Sequence, residues 1–254
     1  MIQETSPIPS TQPEKPSTRV HFPRVQPFVT YILLGLTILV YILQKGSDFF
    51  YGVDFPAAYG MKHNLLIEAG QYWRLLSPML LHGSLVHLGF NMYALFILGR
   101  RLERFFGHFR FLALYLISGF AGNILSMLLT KDASLGSSTA IFGLLGAEGV
   151  FIYQHRELLG ERANRALQQI IQVAVINLII GLSPGIDNWG HVGGLFGGSA
   201  FIWLAGPILQ VVGMYPSLRI EDTRETGVVG RIFLALSLAL ATLAGGIIYW
   251  RIKN

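Results

Sequence analysis

Seven stretches of this chain are apolar enough, and nearly long enough, to cross a bilayer, and that pattern limits the fold more than any other feature. They run near 28–44, 78–99, 109–130, 138–154, 167–183, 189–211 and 230–250. About 20 apolar residues cross a hydrocarbon layer about 30 Å thick. Six of the stretches carry no Asp, Glu, Lys or Arg in their interior, and the fourth carries Glu148. A backbone in lipid must satisfy its own N–H and C=O groups, so such runs fold as helices. Only 13% of the residues are charged and 52% are hydrophobic, against about 25% charged in average usage. The expected fold is an all-α membrane protein: a polytopic helical bundle of seven transmembrane helices.

The charges that remain sit between these runs. A net charge of +5 invites a nucleic-acid partner, but the positions of the charges argue for topology instead. With the N-terminus inside, 13 of the 19 basic residues fall in the N-terminal tail and three loops on one side. Those loops hold Arg100, Arg101, Arg104 and Arg110, then Arg156, Arg162 and Arg165, then Arg219, Arg224 and Arg231. The positive-inside rule orients the chain with its N-terminus cytoplasmic and its C-terminus external, in the cell (plasma or inner) membrane. Residues 1–27 hold six of the 11 prolines and no apolar stretch, which predicts a disordered cytoplasmic tail and no signal peptide. The expected organisation is that tail, a core over 28–211, a cytoplasmic loop over 212–229, and the seventh helix with a short external tail over 230–254. Cysteine is absent, so thiolate and disulfide chemistry are excluded.

Two connectors are unusual. The one over 45–77 carries Phe49, Phe50, Tyr51, Phe55, Tyr59, Tyr72 and Trp73, rings that favour the headgroup region. The other, Lys131 to Ser137, is tight and polar and precedes a short fourth run. The fourth helix is thus expected to begin below the membrane surface at a water-filled cavity, where irregular backbone at depth is tolerated.

Polar groups inside spans are costly and mark function by default. The second run carries His82, His87 and Asn91, the fourth opens with Gly136-Ser137-Ser138-Thr139, and the sixth opens with Asn188-Trp189-Gly190-His191. The topology brings all three clusters to one external depth. A serine hydroxyl needs a base, and imidazole is the usual one. Ser138 at a helix N-terminus meets free N–H groups that stabilise developing negative charge. His87 and Asn91 are spaced i, i+4 and share a face; His82, five residues before His87, lies about 140° round a helix from it. Gly194 and Gly198 follow His191 at i+3 and i+7, a small-residue stripe that lets two helices approach closely.

These motifs resemble the rhomboid family of intramembrane serine proteases. "HGSLVHLGFN" (82–91), "GSSTAIFGLLG" (136–146) and "GHVGGLFGG" (190–198) look like that family's second-helix, nucleophile and base motifs, and "YWR" (72–74) and "LGRRLERFFGHFRFLALYLISG" (98–119) like its first loop and the stretch joining helices two and three. The likeness covers about residues 70–205, and it implies a six-helix core with the seventh, C-terminal transmembrane helix appended. It implies Ser138 as nucleophile, His191 as general base, and an oxyanion hole from the Ser138 N–H with His87 and Asn91. His82, Gly136, Gly194, Gly198, Trp73 and Arg74 would support the site. The family often has Tyr where Phe142 stands, which keeps the ring under the base without its hydroxyl, and often Gly where Thr139 stands. Asp187 is expected in the external loop, leaving a dyad.

The same residues admit other roles. Ser138 fits an ordinary helix N-cap, His87 and Asn91 could simply bond neighbouring helices, and His82 is as well suited to a structural or water-holding role as to catalysis. A metalloprotease would need a pattern such as H-E-x-x-H, which His82 and His87 do not make, and a transporter would show paired broken-helix repeats. A rhomboid-like pseudoprotease that binds transmembrane clients without cleaving them has no need of both Ser138 and His191. Glu148 is too far from Ser138 for chemistry and is expected in a buried hydrogen bond. Gln168, Gln169, Gln172 and Asn177 imply a fifth helix that packs on the cavity or moves. Expected partners are transmembrane protein substrates and the lipid bilayer, with no nucleic acid, metal or cofactor; nothing specifies the oligomeric state.

Overall fold

The computed structural model describes residues 25–214 and 218–254, so the tail expected over 1–27 lies almost wholly outside the described residues. The chain runs α1 (Phe28–Tyr51), two short helices α2 (Phe55–Gly60) and α3 (Asn64–Glu68), and single 3-10 turns at Tyr72–Leu75 and Ser77–Leu80. It continues through α4 (Leu85–Phe106), α5 (His108–Leu129), α6 (Ser138–Gln154), the one-turn α7 (Arg156–Leu159), α8 (Glu161–Ile180) and α9 (Asn188–Ala205). An antiparallel ribbon, β1 (Leu209–Val212) with β2 (Arg219–Asp222), then leads to α10 (Thr226–Lys253). Helices α1, α5, α8 and α10 are long and apolar enough to cross a membrane by length and composition. The long helices leave large apolar side chains uncovered, among them Ile32, Leu39, Phe90, Ile176, Phe196 and Leu238. A water-soluble surface rarely exposes apolar area on that scale. The fold is that of an all-α polytopic membrane protein.

Several boundaries differ from the expectation, and four of the differences have a clear local reason. Helix α1 continues seven residues past 44, because nothing breaks it until Gly52 closes it in the left-handed conformation, φ 68°, with its N–H on Asp48 O. Helix α4 starts at Leu85 instead of 78: Pro78 and Gly83 interrupt the run, and the Ser84 side chain accepts from His87 N. Helix α8 opens at Glu161, immediately after Gly160 at φ 60°. Helix α9 stops at Ala205 instead of 211, since Pro207 forces Gly206 into extended backbone (ψ 159°). The chain beyond it pairs as β1 with β2, Leu209 opposite Asp222, where a plain loop was expected over 212–229.

Helix α6 is the centre of the bundle, with every residue from Thr139 to Glu148 buried. Its neighbour α9 packs on it almost backbone to backbone, and α5 meets α9 in the same way. A Cβ added at Gly198 would stand 2.5 Å from Gly143 Cα, and one at Gly122 would stand 2.6 Å from Gly190 O. Helix α1 is fixed at its start by fully buried Glu103 of α4, which accepts from Val29 N (2.9 Å), Thr30 N (2.7 Å) and Thr30 Oγ1 (2.6 Å). These are the orphan donors of a helix that has no capping side chain of its own. Helix α8 stands apart: only Ala163 on it is buried. Gln168, Gln169, Gln172 and Asn177 are all exposed.

Contacts sort the loops into two ends. Val25 N bonds Arg104 O, Arg110 pairs with Asp222 and His155 Nε2 accepts from Leu209 N at the arginine-rich end. Lys62 with Ser126, Glu68 with Arg251, and Ser138 with His191 lie at the other.

Candidate active site

Ser138 is the first residue of α6 and does not cap it. Its Oγ lies 2.9 Å from His191 Nε2, so the hydroxyl is spent on an imidazole and not on a backbone N–H. The N–H groups of this first turn have no carbonyl one turn back to bond. The approach to Ser138 is fixed by Gly136, whose N–H donates to Pro78 O at 2.9 Å and whose φ is +136°. A side chain there would place its first carbon 2.8 Å from His87 Nε2 and 3.7 Å from Ser138 Oγ. Only glycine leaves His87 and Ser138 facing the same small space.

His191 sits in the first turn of α9. Phe142, one turn below Ser138 on α6, stacks on its ring with centroids 4.3 Å apart and planes 10° from parallel. Gly194 and Gly198 continue the contact: a Cβ at Gly194 would fall 2.8 Å from Thr139 C and closer still to Thr139 O. Asp187, the last residue of the connector before α9, is the N-cap of that helix, its Oδ1 accepting from Gly190 N at 2.9 Å and its Oδ2 from Ser126 Oγ. Both oxygens are thus engaged away from the base, and His191 Nδ1 is buried with no hydrogen-bond partner among the described residues.

The second-run cluster differs from its expected geometry. His82 precedes α4 and is not on it, so the 140° offset does not apply. Its ring centroid is 5.0 Å from that of His87, and its Nε2 is 3.1 Å from Asn91 Nδ2 and 3.4 Å from Ser137 Oγ. Asn91 Nδ2 donating to an unprotonated His82 Nε2 satisfies the pair and leaves the second amide hydrogen of Asn91 for another acceptor. His82 is itself held by Gln44 of α1: His82 N donates to Gln44 Oε1 (3.0 Å), and Gln44 Nε2 donates to His82 O (3.3 Å). Sequence reasoning passed over Gln44, treating it as the end of the first run. Its signal was a lone amide in an otherwise apolar stretch.

The remaining candidates lie further out. Buried Arg74 donates to Met61 O, Ala58 O and Gln71 Oε1, each at 2.8 Å, and Trp73 Nε1 donates to Tyr59 O at 2.9 Å, so both anchor the aromatic connector. Phe49, Phe50, Tyr51, Tyr59, Tyr72 and Trp73 point outward. Glu148 pairs with Arg101 at 2.5 Å, well away from Ser138. Thr139 turns its side chain toward the backbones of α5 and α9 at Gly122 and Gly190, and so does not enter the space between His87 and Ser138. Lys62, one of the six basic residues outside the N-terminal tail and the three arginine-bearing loops, is fully buried. Burial holds its ammonium pKa below the ordinary lysine value, with Asp187 and Asp132 opposing that and Arg251 adding to it.

A family model described as the rhomboid domain matches residues 69–208, more than half of the chain. The chain belongs to the rhomboid family. Among relatives of this rhomboid, the "Rhomboid protease GluP" of Bacillus subtilis (strain 168) is 38% identical over 178 residues, which is 70% of this chain and 34% of that protein. "RHOMBOID-like protein 4" of Arabidopsis thaliana is 43% identical over 136 residues, 53% of this chain and 34% of that one. The rhomboid described here therefore spans about a third of the length of these curated relatives. One of them is named a protease; the plant protein's name states no activity. Chemically, this rhomboid presents a hydroxyl on an imidazole at the start of a helix, facing His87, with Asn91 bonded to the neighbouring His82.

Proposed function

We infer that this rhomboid is an intramembrane serine endopeptidase working through a dyad of Ser138 and His191. The observation that carries it is the 2.9 Å contact between Ser138 Oγ and His191 Nε2 inside a bundle of apolar helices. In the proposed reaction His191 Nε2 takes the Ser138 proton as Oγ attacks a peptide carbonyl carbon. The carbonyl oxygen becomes an oxyanion, received by the Ser138 N–H, His87 and Asn91. The imidazolium passes its proton to the leaving amine as the C–N bond breaks, which leaves an ester on Ser138. Water, deprotonated by His191, then hydrolyses the ester and restores the serine. Phe142 and the glycines at 194 and 198 hold the imidazole in place, and His82 holds Asn91.

The substrates in this reading are single transmembrane segments whose helices open readily, since a scissile bond must be extended to be attacked. Small residues and helix breakers near the external face meet that need. The long helices correspond to seven crossings, a six-helix core over 28–211 and a seventh helix over 230–254, with the arginine-rich end cytoplasmic. The cell membrane, the N-terminus inside and the C-terminus outside complete the proposal.

The test is cleavage of a single-span reporter by the purified protein in liposomes. Wild type is expected to cleave it, and Ser138→Ala and His191→Ala to be inactive. Cleavage that persists in either variant overturns the dyad. Binding of the reporter without cleavage by the wild type would instead favour the non-cleaving pseudoprotease alternative.

A further inference from the structure

Lys62 belongs to neither motif of the site, yet it is bonded toward both. It lies in the connector between α2 and α3 and is fully buried. Its backbone forms a two-way bridge with Ser134, Lys62 N to Ser134 O at 2.9 Å and Ser134 N to Lys62 O at 3.1 Å. Ser134 lies in the tight connector that delivers Ser138, four residues on. The Lys62 side chain runs the other way: Nζ donates to Ser126 Oγ at 2.7 Å and Thr130 Oγ1 at 3.0 Å, at the end of α5. Ser126 Oγ in turn donates to Asp187 Oδ2, while Asp187 Oδ1 accepts from Gly190 N, the residue before His191.

Backbone on one side and side chain on the other thus tie the strand entering the nucleophile to the cap of the helix that carries the base. Burying an ammonium is costly unless it is hydrogen-bonded and countered by charge. Asp187 and Asp132 supply opposite charge, with Arg251 the like-charged neighbour. A plain packing role would be met by an apolar side chain at less cost, so the retained cation points to alignment.

We propose that Lys62 is a positioning residue that sets the separation of Ser138 and His191 through Ser134 on one side and the Ser126–Asp187 relay on the other. This rests on the peptidase reading, and its test separates the two. Lys62→Met, Lys62→Arg, Asp187→Asn and the double variant Lys62→Met/Asp187→Asn are compared in liposomes. The readouts are kcat and KM for the single-span reporter and the rate at which a fluorophosphonate labels Ser138. Misalignment by a fraction of an ångström to about 1 Å predicts that Lys62→Met lowers kcat and the labelling rate together by about 10- to 100-fold with KM little changed. Lys62→Arg, which keeps a cation, is expected to retain more activity than Lys62→Met, and the double variant to be no worse than the poorer single one, because both changes cut one relay.

Wild-type kcat and labelling in Lys62→Met would overturn the proposal, as would fully multiplicative losses in the double variant. Should Lys62→Met fail to fold, Ser126→Ala removes only the hydroxyl between Lys62 and Asp187. A loss of labelling there supports the relay, and wild-type labelling sinks it. If Ser138→Ala still cleaves the reporter, the peptidase reading fails on its own. If Ser138→Ala is dead and Lys62→Met is wild type, only the positioning role fails.

Discussion

Replacing Gly194 by alanine adds one methyl group to the tightest part of the bundle, and its effect follows from the geometry. The new carbon would stand 2.8 Å from Thr139 C and 3.2 Å from Thr139 Cα, nearer still to Thr139 O, where ordinary contact begins at 3.4 Å. All three neighbours are backbone, so no side chain can swing aside. Relief requires α9 to back away from α6 by at least about 1 Å, and His191 stands one turn from the wedge. A base 2.9 Å from its serine moved by that distance leaves hydrogen-bond range. A misplacement of about 1 Å costs about 100-fold in rate, or about 2.7 kcal/mol of barrier. Overpacking costs about 1–3 kcal/mol of stability, offset in part by about 1 kcal/mol of helix propensity gained over glycine. Gly245→Ala on α10, where the added carbon meets nothing within 4 Å, is the matched control. Thermal unfolding in detergent, fluorophosphonate labelling and reporter cleavage give the three readouts. Gly194→Ala that labels and cleaves at the Gly245→Ala rate would refute the close-packing account of how His191 is placed.

Phe142→Ala removes the ring stacked on His191 and should lower kcat several-fold, in line with about 0.5–1.5 kcal/mol for such a pair, whereas Phe142→Tyr keeps the ring and most of the rate; steady-state kinetics on the reporter distinguishes them. Asn91→Ala is expected to lower kcat by about 100- to 1,000-fold if its amide receives the oxyanion, with binding of the uncleaved reporter unchanged by pull-down. Glu103→Ala strips three acceptor contacts from the start of α1, and should cost about 3 kcal/mol or more of stability as buried donors lose their partner. Because Glu103 lies at the opposite end from Ser138, the fraction still folded should label at the wild-type rate.

The helices were readable because lipid leaves the backbone few options: apolar length alone locates α5 and α6 almost to the residue. Boundaries slipped where a local device overrode hydropathy. Gly206-Pro207 ends α9 inside an apolar run, and Ser84 opens α4 well after that run begins. The Ser138–His191 pair was legible from spacing and topology, since a serine at a helix start and a histidine at another meet at one depth. His82 was misplaced because helical periodicity was extended over residues that are not helical. The capping role of Asp187, in the connector before α9, becomes recognisable only once the helix boundary is known. Gln44 and Lys62 escaped for a different reason: each acts through contacts with residues tens of positions away, and nothing in their own neighbourhood announces it. Thr139 and Phe142, conspicuous in the sequence as departures from the family, have defined neighbours: Thr139 lies against Gly122 and Gly190, and Phe142 stacks on His191.

The most direct test of the central claim is to find the bond itself. The protein in liposomes is treated with a fluorophosphonate, digested, and the modified residue mapped by peptide mass spectrometry. The dyad predicts a single covalent adduct on Ser138 that is lost in His191→Ala, since the hydroxyl without its base is a poor nucleophile. An adduct elsewhere in the chain, or one on Ser138 that forms at an undiminished rate in His191→Ala, would contradict it.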